Sequence, residues 1–322
     1  MGKINIKNKV ILAPMAGFTD GAFRTIAFSN GADIAISEMV SAQAMKYKDR
    51  KTLDLLKIYE NEKEVGIQLF GSDPEILAAA CKDLEENPSI NLIDLNLGCP
   101  APKIFKNGQG SALLADPKKI YELLSAMRKS TTKTLSGKIR LGISDKDNYL
   151  QIARAVEEAG ADFITVHGRT RDQYYSGQAD WQAIGHIKET LSIPVIGNGD
   201  ISFETDIKAL LATYKVDGLM IGRGAVGSPW IFEKAKADLE NRPYNYPSLD
   251  QRFAIILDHI NLACQLKEEK IAIPEMRKHL HSYLKGLCGA AKIKNQINTV
   301  KTKDQIIEVL LAYKDQLLTL SQ

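Results

Sequence analysis

The stretch Leu92-Ile93-Asp94-Leu95-Asn96-Leu97-Gly98-Cys99-Pro100 alternates apolar and polar side chains, then stops on glycine, cysteine and proline. Alternation with a period of two marks a strand whose two faces meet different surroundings. Gly98 and Pro100 turn the chain sharply, so Cys99 stands on a loop at the end of that strand. A cysteine held there is a candidate for chemistry, with nucleophile, metal ligand and buried structural thiol all open from these residues alone.

Working outward, comparable apolar, β-branched runs occur at 10–13, 34–37, 65–69, 135–139, 163–166, 194–197 and 218–221. Helix-like segments separate them, among them 74–84, 117–127, 149–159 and 204–212, the first two opened by proline. Eight strands each followed by a helix predict an α/β fold, a (β/α)8 TIM barrel, more readily than an open sheet. Strand signals stop after Trp230, and from about Pro247 the pattern is helical. Pro274 is expected to open a helix there, and Leu280, Leu284 and Leu287 to share one face. The predicted organisation is a catalytic barrel over 1–240 and an all-α helical domain over 241–322.

The chain has 322 residues and a net charge of +3, in the range of ordinary globular proteins. Its four cysteines, Cys81, Cys99, Cys264 and Cys288, form no Cys-x-x-Cys pair, which argues against a disulfide framework and a structural metal site. They read as thiols in a reducing cytoplasm. The N-terminus Met1-Gly2-Lys3-Ile4-Asn5-Ile6 lacks a signal-peptide core and Ile6 breaks the myristoylation pattern, while no run is apolar enough to span a bilayer. From 240 to 322 there are twelve Lys/Arg against nine Asp/Glu, so the basic excess lies in the helical part. The stretch 277–303 holds seven Lys/Arg and no acid, which suits either a polyanion-binding surface or a solvated helical face.

In a parallel barrel the active site lies at the C-terminal mouths of the strands. The residues there are small or polar: Pro14, Met15, Ala16 and Gly17, then Gln68, Asn96 and Cys99, then Lys138 and Arg140. His167-Gly168-Arg169, Asn198-Gly199-Asp200 and Gly222-Arg223-Gly224 follow, and Glu38 is expected to face the same mouth. Glycines after the seventh and eighth strands let the backbone approach a phosphate, with Arg223 as a charged fork. Gly222-Arg223-Gly224-Ala225-Val226-Gly227 also spells a dinucleotide fingerprint, but it precedes only helices, so a barrel phosphate site is the better reading.

Lys138 lies in an apolar strand and, if it points inward, needs an anionic partner. Flavin mononucleotide meets these requirements, with Lys138 and Gln68 at the ring edge, His167 on cofactor or substrate, and the last two loops on the phosphate.

These motifs, Leu12-Ala13-Pro14-Met15-Ala16-Gly17-Phe18-Thr19-Asp20, Ser37-Glu38-Met39, Gln68, Asn96-Leu97-Gly98-Cys99-Pro100 and Lys138-Ile139-Arg140 onward, resemble the tRNA-dihydrouridine synthases, especially the bacterial B-type branch. His167-Gly168-Arg169-Thr170, Asn198-Gly199-Asp200 and Ile221-Gly222-Arg223 complete the set. Arg277-Lys278-His279-Leu280 with Tyr283 resembles the basic motif of that family's helical RNA-binding domain. The resemblance implies an FMN-dependent, NADPH-driven oxidoreductase that reduces the C5–C6 double bond of uridines in tRNA. It implies cofactor contacts from Pro14, Met15, Ala16, Gln68, Lys138, His167, Asn198, Gly199, Asp200, Gly222 and Arg223, with Cys99 as proton donor. RNA contacts are expected from Asn96, Arg140, Arg169, Arg277, Lys278, His279, His281 and Tyr283.

A hydride reaching C6 of uracil leaves enolate-like charge toward C5, and a thiol is a suitable acid for the second step. Reaching a stacked uracil requires taking the base out of its stack. Arg277, His281 and Lys285, spaced i, i+4, i+8, are expected on one helical face, with Lys292, Lys294, Lys301 and Lys303 extending the basic track. The rival readings are a barrel flavin reductase of a small molecule and a non-catalytic RNA-binding protein. A monomer on tRNA, in the cytoplasm, without metal or membrane, is the expected working state.

Overall fold

The computed structural model describes residues 3 to 320, and in it eight parallel strands close into a barrel in sequence order. They are β1 Lys9–Leu12, β2 Ile34–Ser41, β3 Glu64–Phe70, β4 Leu92–Leu97, β5 Thr134–Arg140, β6 Phe163–His167, β7 Val195–Asn198 and β8 Gly218–Ile221. Closure is made by β1 on β8, where Leu12 lies opposite Ile221. Helices cover the outer face: α1 Gly21–Ser29, α2 Ala42–Lys46, α3 Arg50–Asp54, α4 Pro74–Glu85 and α5 Pro102–Lys106. After them come α6 Pro117–Arg128, α7 Tyr149–Glu158, α8 Trp181–Thr190, α9 Ile207–Tyr214 and α10 Ile231–Leu239. Aspartates cap several of these helices, Asp73 and Asp116 each followed by the expected proline.

Inside the barrel the two-residue period builds layers. Ile11, Ile34, Ile36, Leu92, Phe163, Ile196 and Met220 form an apolar plug. Two residues past Leu92 and Phe163 come Asp94 and Thr165, with Ser136 opposite Asp94, all fully buried. Asn96, Lys138, His167 and Asn198 follow at the mouth, Asn96 beside Lys138 and His167 beside Asn198 in register.

The helical part is α11 Leu249–Leu266, α12 Glu269–Tyr283, α13 Ala290–Thr299 and α14 Lys303–Leu320, with its own core around Phe253, Ile260, Met276, Leu280 and Leu310. Ala22 of α1 and Trp230 join that core, so the domain docks beside the first strand's helix.

Several local expectations are corrected. The helix expected over 204–212 begins at Ile207, because Asp206 caps it while Glu204 and Thr205 bond to Ser202 in the preceding turn. Pro274 lies inside α12. It is exposed there, so solvent can take the carbonyl that its missing N–H leaves free. Lys285 is off the helix, since α12 ends at Tyr283 and Gly286 reverses the chain with φ of +81°. Second-strand pairing runs on to Ser41 through an irregularity between Ile36 and Met39. Glu38 therefore meets the first loop, accepting from the Gly17 N–H at 2.5 Å. Met1 and Gly2, part of the N-terminal pattern read above, lie outside the described residues.

Candidate active site

A one-way chain of hydrogen bonds runs beneath the Cys99 loop. The Cys99 and Gly98 N–H groups donate to Asn96 Oδ1 at 2.9 and 3.2 Å. Asn96 Nδ2 donates to Gln68 Oε1, and Gln68 Nε2 to Asp94 Oδ2, both at 2.7 Å. Asp94 Oδ1 accepts from Ser136 at 2.5 Å. With its backbone carbonyl also taken by the Ser111 N–H and hydroxyl, Cys99 is held on both sides while its side chain stays partly exposed. Gly110, at φ +61°, supports this closeness, because a Cβ there would press on Cys99 Cβ at 3.0 Å. Gln68, expected at the flavin edge, is buried just below the mouth, with one amide N–H on Asp94 and its oxygen accepting from Asn96.

Opposite, Lys138 Nζ donates to Asn198 Oδ1 at 3.0 Å, and Asn198 is itself oriented by donating to Met220 O at 2.7 Å. Burial, reinforced by Arg140 and opposed by Asp94, holds the Lys138 ammonium down at about 8. Burial likewise drives His167 far below its ordinary value, helped by Lys138, Arg140, Arg169 and Arg223, so the imidazole is neutral. Asp94 is pushed up to about 6 by burial, against its bonds from Ser136 and Gln68 and the field of Lys138.

Arg140 and Arg169, expected on the substrate, are buried and fasten loops. Arg140 donates to Gly98 O at 3.0 Å, Thr170 O at 2.9 Å and Tyr174 O at 2.8 Å, tying the cysteine loop to the loop after β6. Arg169 holds that same loop through Ser176 O at 3.0 Å and Gly177 O at 2.7 Å, and pairs with Asp200 at 2.7 Å. What the pinned loop presents is Tyr175, about half exposed, with Arg223 4.3 Å and Arg140 5.6 Å from its ring. Tyr175 was missed from sequence, although paired tyrosines just before Gly177 in a mouth loop were a usable signal.

The expected phosphate corner lies in the loops after β7 and β8. Gly199 has φ of +132°, and a Cβ there would lie 2.6 Å from that of Ala179. Asp200 acts as an anchor, paired with Arg169 and 3.5 Å from Arg223, whose side chain remains half exposed. Pro14 and Met15 are half-buried and Ala16 exposed in the first loop, which is closed by the Met15 N–H donating to Thr19 Oγ1 at 3.0 Å. Lys138, Arg140, Arg169 and Arg223 thus outnumber the carboxylates beside them, Asp94 below Lys138 and Asp200 against Arg169 and Arg223. That surplus of positive potential fits an anionic cofactor.

The helical domain meets this mouth along a seam. Lys278 Nζ lies 5.2 Å from the Phe18 ring, at the first loop. His279 and Tyr283, expected on RNA, are buried instead: His279 packs on Phe18, Phe23 and His259, and Tyr283 O–H lies 3.1 Å from His259 Nδ1. Position i+4 in this helix faces the barrel, which spacing alone did not reveal. Arg277 reaches Val300 O at 3.1 Å and His281 lies 3.1 Å from Asn298 Oδ1, both only partly exposed. Among the described residues no His/Cys/Asp/Glu group could hold a metal, and no helix is long and apolar enough to cross a membrane.

A family model described as Dihydrouridine synthase (Dus) matches residues 11–318. The chain belongs to the dihydrouridine synthase family. It is 36% identical over 317 residues to a probable tRNA-dihydrouridine synthase of Rickettsia bellii, covering 96% of each chain. It is 37% identical over 319 residues to tRNA-dihydrouridine synthase B of Vibrio parahaemolyticus, covering 98% of each. The tRNA-dihydrouridine synthase B of Pseudomonas putida is 37% identical over 304 residues, 94% of this chain and 90% of that one. Among solved structures, this dihydrouridine synthase family chain shares its fold with histamine dehydrogenase from a Rhizobium species, at a TM-score of 0.55 and 16% identity, over 79% of this chain and 49% of that one. TcOYE with pHBA is similar at a TM-score of 0.52 and 11% identity, over 76% and 92% of the two chains.

Proposed function

We propose that this protein is a tRNA-dihydrouridine synthase that reduces the C5–C6 double bond of uridines in tRNA, with FMN bound at the barrel mouth and NADPH as reductant. FMN bound there would supply hydride chemistry for C6 of the uracil. Lys138, Asn198, His167, Gln68, the Pro14-Met15-Ala16 backbone, Gly199, Gly222 and Arg223 would hold it, with Asp200 ordering Arg223. Lys138 offsets negative charge in a setting where water cannot. Cys99 holds a proton at Sγ for C5, and the Asn96 bonds to its backbone fix where that proton sits. The neutral His167 can accept or donate a hydrogen bond without adding to the cationic field. The observation that carries this reading is a partly exposed cysteine on a locked loop at a mouth lined by Lys138, Arg140, Arg169 and Arg223.

RNA reaches the mouth past Lys278, with Arg277 and His281 beside it and Asn96 at the cysteine loop. A monomer on tRNA in the cytoplasm is the proposed working form. The test has two arms. Purified protein should carry flavin absorbance, and tRNA from cells lacking the gene should lose dihydrouridine at particular positions. Unchanged dihydrouridine in those cells would overturn the proposal.

A further inference from the structure

The barrel itself carries a second basic surface, on the excursion after β2. The segment Lys46-Tyr47-Lys48-Asp49-Arg50-Lys51 places four cations and one tyrosine within six residues. All six residues are exposed, and Tyr47 is 72% exposed, the highest value for a large apolar or aromatic side chain among the described residues. None of the four cations has an ion pair or side-chain hydrogen bond among the described residues. Asp49 does not neutralise them through a direct pair, because its carboxylate caps α3 by accepting from the Thr52 N–H and hydroxyl at 2.9 Å. Asp54, the nearest other acid in sequence, is paired with Lys57 at 2.8 Å.

The turn is built rather than loose. At the end of α2 the Lys48 N–H bonds to Met45 O at 2.8 Å and the Asp49 N–H to Ala44 O at 3.1 Å. With Lys48 left-handed at φ +52°, this is the helix-ending motif that normally uses glycine. A lysine there sacrifices backbone comfort for a charge. Asp49 then starts the next helix, and buried Met45 anchors the turn from below. The backbone that carries Tyr47 and its basic neighbours is therefore fixed, and their side chains are exposed.

A short stretch of chain joins the segment to the mouth. Met39 Sδ is 3.8 Å from Asn96 Nδ2, the amide that orients the Cys99 loop. From Met39 the chain leaves the mouth through Ser41, which caps α2, and reaches Tyr47 one short helix later. A five-residue helix advances roughly 8 Å. The surface thus lies on the excursion that leaves the mouth at the end of β2, whereas Lys278 lies at the β1 loop.

We propose that this turn is a second RNA-contacting surface, with Tyr47 stacking on an unpaired base near the target uridine and Lys46, Lys48, Arg50 and Lys51 on the adjoining phosphates. An exposed aromatic among unpaired cations is the chemistry that recognises single-stranded nucleic acid. The inference rests on tRNA being the substrate and adds where, outside the helical domain, the enzyme grips it.

The test compares full-length holoenzyme with Tyr47→Ala, Tyr47→Phe and the combined variant K46Q/K48N/R50Q/K51Q, asparagine being tolerated in the left-handed position. Affinity for unmodified tRNA transcript is measured across salt concentrations, alongside dihydrouridine formation and flavin absorbance. The combined variant should bind at least about tenfold more weakly at low salt, with a log–log salt slope shallower by roughly two to three. Tyr47→Ala should lose about tenfold in affinity with little change of slope, and Tyr47→Phe should bind like wild type. All variants should keep their flavin absorbance. Wild-type affinity and slope in the combined variant, beside a wild-type enzyme that makes dihydrouridine, would overturn this surface while leaving the activity in place. A wild-type enzyme that neither binds nor reduces tRNA would overturn the activity and this inference with it.

Discussion

Lys138 of β5 and Asn198 of β7 meet across the intervening strand β6, ammonium to amide oxygen at 3.0 Å. The ammonium thus rests on a neutral partner, with Asp94 beneath it held up at about 6. A buried charge whose neighbouring carboxylate does not offset its burial is costly to the fold, which suits a ligand that completes the pair.

Lys138→Met should therefore cost no stability, or gain up to about 2 kcal/mol, while dihydrouridine formation falls by about 10²-fold. Because the folded Lys138 is lowered from 10.5 to about 8, its penalty is present below pH 8 and is relieved between 8 and 10.5. Chemical denaturation of the cofactor-free form should show wild type gaining on the methionine variant across that window.

Cys99→Ala should keep flavin absorbance and NADPH oxidation but lose about 10²- to 10⁴-fold in dihydrouridine formation, measured on tRNA transcript. Undiminished product would remove Cys99 from the proton-donor role.

Arg140→Lys retains charge but cannot make three bonds to Gly98, Thr170 and Tyr174 in one plane. Activity should drop about tenfold or more with flavin retained, and protease nicking at the loop after β6 should rise. An unchanged cleavage pattern would count against Arg140 as the fastener of the two loops.

Asp94 is a carboxyl raised from 3.8 to about 6, so it takes stability away as pH climbs from about 4 to 6. At 1.36 kcal/mol per pH unit that amounts to about 3 kcal/mol. Asp94→Asn should flatten this part of the stability profile, as read by urea denaturation at several pH values.

Between the domains, burial works against the charged form of Asp20, but Lys267 at 2.8 Å outweighs it and holds the carboxyl at about 2. This stabilisation is complete above pH 3.8 and disappears as pH falls toward 2. Asp20 also caps α1 through the Phe23 N–H, so Asp20→Ala should cost about 2 kcal/mol at neutral pH, seen by thermal or chemical denaturation.

Eight apolar runs separated by capped helices determined the barrel from sequence, because period-two burial and aspartate or proline helix starts are local properties. The glycine, cysteine and proline after Leu97 likewise determined that Cys99 would stand on a turned loop at the mouth. Tertiary structure decided which polar groups remain free there. Gln68, Arg140 and Arg169 looked like ligand contacts, yet their partners come from strands and loops far along the chain. His279 and Tyr283 belong to a basic motif in sequence but face the barrel, since helical spacing says which residues share a face and not what that face packs against. The Lys46–Lys51 turn was passed over for the complementary reason: exposure and lack of ion partners become visible only when the rest of the chain has folded around it.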